Sequence, residues 1–245
     1  MKSACLLGLL LLCAGKSVWA QEIVDSVVNT QDDKVFIQYR DIKGRVLEEG
    51  YRKKGVKDGV WTRFSYAGFP EKVITWKDGM KDGVEMLIGL DGYVEQMAVW
   101  RKDQYNGPVR VFYKGARINK EIYYRDGAEE GLRRIFYAEG GLQEEGLMQG
   151  GRREGLTTWY YLNGKKAAEY HYHLGELDGE AVLYSEEGVV TQAGKYKEGK
   201  QEGIWRSFHA NGWMAEEGQY RSGEKKGVWK KYDTSGKLIE TKTIK

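Results

Sequence analysis

Cysteine is nearly missing. The 245 residues contain 2, Cys5 and Cys13, so the chain beyond residue 20 has no disulfide, no thiol nucleophile and no cysteine metal site. Proline is equally scarce, with 2 residues, and no long apolar run follows residue 20, which leaves nothing there to form a membrane-spanning helix. A dominant charge is lacking as well: 39 Lys and Arg face 36 Asp and Glu. Near neutrality provides no overall field to draw in nucleic acid, and none is expected as a partner. What the chain does have is 33 Gly, 17 Tyr and 8 Trp, a composition of strands and turns.

The start reads differently from the rest. Lys2 precedes an apolar run from Ala4 to Ala14, and Val18-Trp19-Ala20 fits a small-x-small cleavage site. Residues 1–20 are therefore read as a secretory signal, which makes the protein exported, periplasmic or extracellular. The competing reading is a lipoprotein acylated at Cys13, but Leu12 stands where Gly, Ala or Ser is usual. Residues 21–50 are the least regular stretch and are expected to form a capping half-repeat, with a strand at Lys34 to Tyr39.

From Tyr51 to Lys245 a pattern recurs every 24 residues. Its clearest copy is YKEGKQEGIWRSFHANG, Tyr196 to Gly212, which returns as YRSGEKKGVWKKYDTSG, Tyr220 to Gly236. The second glycine of each pair falls at Gly59, Gly83, Gly107, Gly131, Gly155, Gly179, Gly203 and Gly227, eight copies without a slip. A period of that length means a solenoid, in which each unit packs only on its neighbours.

Each unit reads as two strands and two turns. Counting from the second glycine, Asn163-Gly164 and Asn211-Gly212 mark a chain reversal after the first strand. An aromatic such as Trp76, Trp100, Tyr196 or Tyr220 follows seventeen residues after the glycine, and the G-x-x-x-G loop then reverses the chain again. On this reading the eight glycines are turn glycines. The expected fold is all-β, a single-layer antiparallel β-hairpin solenoid of eight 24-residue repeats, twisted into an elongated ribbon.

The arrangement aromatic-x-x-Gly-x-x-x-Gly-x-Trp-x-x-aromatic, carried most fully by Tyr196, Gly199, Gly203, Trp205, Phe208 and Gly212, resembles the MORN repeat. It is closest to the bacterial variant found in exported and antitoxin-like proteins. The resemblance implies hairpin solenoids that act as scaffolds and binding surfaces, with lipid binding proposed for some eukaryotic members. Those members usually carry Gly two after the second glycine, where this chain has Trp61, Glu85, Val109, Arg133, Thr157, Ala181, Trp205 and Trp229.

Residues one and five after the glycine, Val60 with Phe64 through Val228 with Tyr232, share a strand face and are expected to form the core. The opposite face varies between repeats. Its tryptophans, Trp61, Trp159, Trp205 and Trp229, are candidates for a binding surface or, equally, for a second core layer. Lys77, Arg101, Arg125, Lys197 and Arg221 form a candidate basic ladder, and the acids just before the glycines a solvated ridge. His171-Tyr172-His173 is at most half a metal site, and no catalytic triad or phosphate loop is present.

The expected function is non-catalytic, without metal or cofactor: an exported binding or scaffolding module whose partner is a protein of the envelope or exterior. The alternatives are an antitoxin-like inhibitor of one toxin protein, and a glycan- or lipid-binding envelope protein. The oligomeric state is not encoded in these patterns.

Overall fold

The computed structural model describes residues 24–31 and 33–245, the first of these segments by its backbone alone. The signal-like residues 1–20 lie outside the described residues. Nineteen strands, numbered β1 to β19 in chain order, form one sheet. The first eight are β1 (Val24–Gln31), β2 (Lys34–Arg40), β3 (Val46–Lys53), β4 (Val56–Phe64), β5 (Pro70–Lys77), β6 (Met80–Ile88), β7 (Val94–Arg101) and β8 (Gln104–Phe112); the last two are β18 (Glu224–Tyr232) and β19 (Leu238–Ile244). Every strand pairs antiparallel with the next in sequence, from β1 with β2 to β18 with β19. The fold is the single-layer hairpin solenoid that the period implies. At ~4.8 Å per strand the stack is about 85 Å long.

Two turn types alternate. Between β5 and β6, Asp78 (φ 50°) and Gly79 (φ 82°) form a two-residue turn with both φ positive, whose twist matches the flanking strands. Its counterparts include Lys54-Gly55, Leu174-Gly175, Glu198-Gly199 and Ser222-Gly223. At the opposite edge, between β4 and β5, the Ser65 N–H donates to Phe69 O at 2.8 Å and the Gly68 N–H to Ser65 O at 2.9 Å. This is a three-residue loop closed by a left-handed glycine (Gly68, φ 86°). The Asn-Gly pairs belong to this second type. Asn163 itself does not take a positive φ; its Oδ1 instead accepts the Lys165 N–H at 2.9 Å.

The eight period-setting glycines need correcting. Gly59, Gly83, Gly107, Gly131, Gly155, Gly179, Gly203 and Gly227 do not turn the chain; each lies inside a strand, with φ from 68° at Gly227 to 126° at Gly107. The register shows why. Gly50 pairs with Trp61 and Arg52 with Lys57, so β4 spends extra residues against β3 around Gly59. That is a β-bulge, and the positive φ makes glycine the residue suited to it. The chain reversals are made by the first glycine of each pair, such as Gly79 and Gly199.

The face assignment is reversed as well. The buried apolar side chains are Trp61, Ile74, Ala98, Val109, Ile122, Met148, Ala181, Trp205 and Trp229. All lie on the face bearing the residue two after the bulge glycine, called here the tryptophan face. On the opposite, valine face, Val60, Val84, Leu156, Ile204 and Val228 are exposed, and the residue five after the glycine is half-buried. Bulk decides this. A single layer has no second sheet to cover it, so burial falls to the face whose side chains are large enough to cover one another.

Candidate binding surface

The tryptophan face is built around one row that crosses the sheet strand by strand. Ile37 pairs with Gly50, Gly50 with Trp61, Trp61 with Ile74, and Ile74 with Glu85. Near the other end the row runs Gly194, Trp205, Gly218, Trp229, through the pairs Trp205 with Gly218 and Trp229 with Lys242. Each of the three tryptophans lies over a glycine of the preceding strand. A Cβ on Gly50 would stand 2.5 Å from the Trp61 ring, and Gly194 and Gly218 are covered as closely by Trp205 and Trp229. These glycines are chosen for space, since none of the three has a positive φ.

The rings are also fixed by polar contacts. Trp61 Nε1 donates to Tyr51 O at 2.8 Å and Trp205 Nε1 to Lys195 O at 3.0 Å. Edge-on contacts join Tyr196 to Trp205 (5.2 Å, 86°) and Tyr220 to Trp229 (5.2 Å, 88°). Lysines close the face: Lys57 lies 4.0 Å from the Trp61 ring, Lys81 4.0 Å from Trp100 and Lys225 3.7 Å from Trp229. Glu85 replaces the tryptophan in its repeat; buried, it accepts from Trp100 Nε1 at 2.8 Å and pairs with Lys72.

The proposed tryptophan surface is thereby corrected. Trp61 is 0%, Trp205 5% and Trp229 6% exposed, so they are core and cannot meet a partner in the folded chain. Trp159 is half-buried, against Tyr170 and Arg153. Among the described residues the exposed tryptophan is Trp213 (57%), at a hairpin edge where other repeats carry residues as different as Phe69, Arg117, Val189 and Lys237. A position that varies so freely offers no spacing signal.

Lys77, Arg101, Arg125, Lys197 and Arg221 are all exposed, on the rim of the valine face beside the two-residue turns. Gln149 and His173 interrupt the ladder. The acids before the bulge glycines hold neighbouring units together: Glu130 accepts the Gly150 N–H at 2.9 Å, Glu154 that of Leu174 at 2.9 Å and Glu202 that of Ser222 at 2.8 Å. At the other edge, Tyr113, Tyr137 and Tyr161 donate to Phe136 O, Tyr160 O and Tyr184 O one unit on. Glu154 also meets His173 Nδ1 at 3.0 Å. That hydrogen bond raises the His173 pKa, while the Leu174 N–H and then His173 lower that of Glu154. Among the described residues no cluster of His, Cys, Asp or Glu is placed to hold a metal ion.

The family model described as MORN repeat variant matches residues 153–173, 201–222 and 225–245. Three hairpins of the chain match this MORN repeat. Each matched segment is one hairpin: it opens just after a two-residue turn and passes the bulge glycine and the three-residue loop; residues 153–173 close before the next two-residue turn, residues 201–222 on its first residue, and residues 225–245 with the last strand. The MORN unit is thus a strand-loop-strand, and the two-residue turn joins unit to unit. Unmatched stretches such as β4 with β5 have the same register and bulge. MORN repeats are commonly protein- or membrane-binding modules, and the family is generally non-catalytic. No curated protein matches the chain.

Proposed function

We propose that the chain is an exported, non-catalytic binding module that engages a protein of the cell envelope or exterior through its valine face. The supporting observation is an exposed apolar side chain that recurs on alternate strands, including Val60 (54%), Ile204 (47%) and Val228 (50%), with Glu180 the charged exception. Contiguous exposed apolar surface marks interaction sites, and repetition on one rigid sheet multiplies weak contacts. The rim charges, Lys77 to Arg221 interleaved with acids such as Asp82 and Asp178, add a salt-sensitive contribution. The signal-like start supports export.

The test is capture from solubilised envelope extract at low and moderate salt, with the purified protein as bait. Ile204→Lys with Val228→Lys should reduce capture while leaving the β-sheet circular dichroism intact. Undiminished capture by that variant would sink the valine-face reading. A stoichiometric toxin-like protein held by a short cluster would favour the inhibitor alternative, and retention of lipid or glycan alone the third.

A further inference from the structure

We infer that the N-terminal part of the valine face is a self-association surface, on which two copies of this chain pack sheet against sheet. From β4 to β7 the middle of that face carries Val60, Val73, Val84, Met86, Met97 and Val99, with no charged residue among the positions between the rims. Further along, the middle row turns charged and is internally paired: Arg110 with Glu121 at 2.7 Å, Arg134 with Glu145 at 2.6 Å and Arg206 with Glu217 at 2.8 Å. The uncharged platform is therefore local. Its apolar side chains suit aligned packing of two sheets about 10 Å apart.

Charge selects a second copy as the occupant. Along the rim, acids from even strands alternate with bases from odd ones: Asp58 on β4, Lys77 on β5, Asp82 on β6, Arg101 on β7. A dyad parallel to the strands and between β5 and β6 reverses strand order in the facing copy. It sets β5 over β6, with Val73 against Met86, which are already register partners within one chain. It also sets Lys77 diagonally across from Asp82, and Arg101 across from Asp58. Alternating charge about such an axis opposes base to acid at every step. Among the described residues Lys77, Asp82 and Arg101 have no ion pair within their own chain, whereas Asp58 holds Lys34 at 2.7 Å.

Four strands, β4 to β7, at ~4.8 Å each and a depth of about 20 Å give roughly 400 Å² per copy. About 800 Å² in total lies below the standard size for specific interfaces, so the dimer is weak and reversible. The inference shares with the proposed function the valine face, Val60 and the rim charges Lys77 and Arg101; partner capture is probed at Ile204 and Val228, far along the stack.

Sedimentation velocity of the purified full chain over a wide concentration range should show a monomer–dimer equilibrium. Met86→Glu should raise the dissociation constant by at least about tenfold, while Val228→Lys leaves it unchanged. Lys77→Glu and Asp82→Lys should each weaken the dimer and restore it when combined. A wild-type chain that stays monomeric, a dimer indifferent to Met86→Glu, or a double charge reversal that fails to restore association overturns the inference. Should Met86→Glu lose its sheet signal, the charge-reversal set decides alone.

Discussion

Gly218 has its Cα hydrogen where any other residue would meet the Trp229 ring. Gly218→Ala should therefore destabilise the chain by about 1–3 kcal/mol, the usual effect of overpacking. Chemical denaturation would measure it, and adding Trp229→Val should recover part of the loss by vacating the space. The His173–Glu154 contact predicts a titration. A folded-state pKa raised above the unfolded value contributes stability that is full below the unfolded pKa and is lost as pH rises through the folded one. Glu154 behaves oppositely, losing its contribution as pH falls through its lowered pKa. The pair is thus most favourable in mildly acid solution, between those limits. NMR should find His173 titrating above the ordinary 6.5, and Glu154→Gln should bring it back down.

Among the hairpins, two departures from good turn chemistry stand out. In the loop after β8 the glycine comes one residue early, so Gly115 has φ 86° and Ala116 must take the left-handed position at φ 64°. Leu174 occupies the first place of a two-residue turn at φ 52°, where Asn, Asp or Gly is favoured. Ala116→Gly and Leu174→Asn should each raise stability, by roughly 0.5–1 kcal/mol, visible as a higher melting temperature. The sequence shows the early Gly115, and the hairpins themselves were legible because glycine spacing and Asn-Gly pairs carry local information. The role of the second glycine was not: a bulge and a turn both require positive φ, and only the cross-strand register separates them. The choice of face was hidden for a similar reason. Val60-Trp61 and Val228-Trp229 put bulky apolar residues on both sides of the same strand. What distinguishes the sides is the glycine eleven residues before each buried tryptophan, Gly50, Gly194 and Gly218, a pairing that has meaning only once strands are laid side by side.

On the scale of the whole chain, stability should be close to a sum over units and their interfaces. Deleting residues 195–218 removes one full period and joins Gly194 to Gln219, leaving a glycine under Trp229. That variant should fold and shorten by about 10 Å in small-angle scattering. Deleting residues 181–204, also one period, instead sets Trp205 beside Tyr170. Circular dichroism and denaturation should find it much less stable, although its composition and length are nearly the same. Comparable stability in the two would mean that the tryptophan row does not govern the stacking.

The sheet order gives the molecule a mechanical character. β1 and β19 lie at opposite ends of the stack, and the hydrogen bonds between neighbouring strands run along its length. A pull on the two ends peels strands away one after another, loading a few bonds at a time and never a whole ladder in shear. Each released period supplies about 80 Å of slack chain. Anchored at one end and gripped at the other, the protein would give way in small, repeated steps at low force, a tether that lengthens before it lets go.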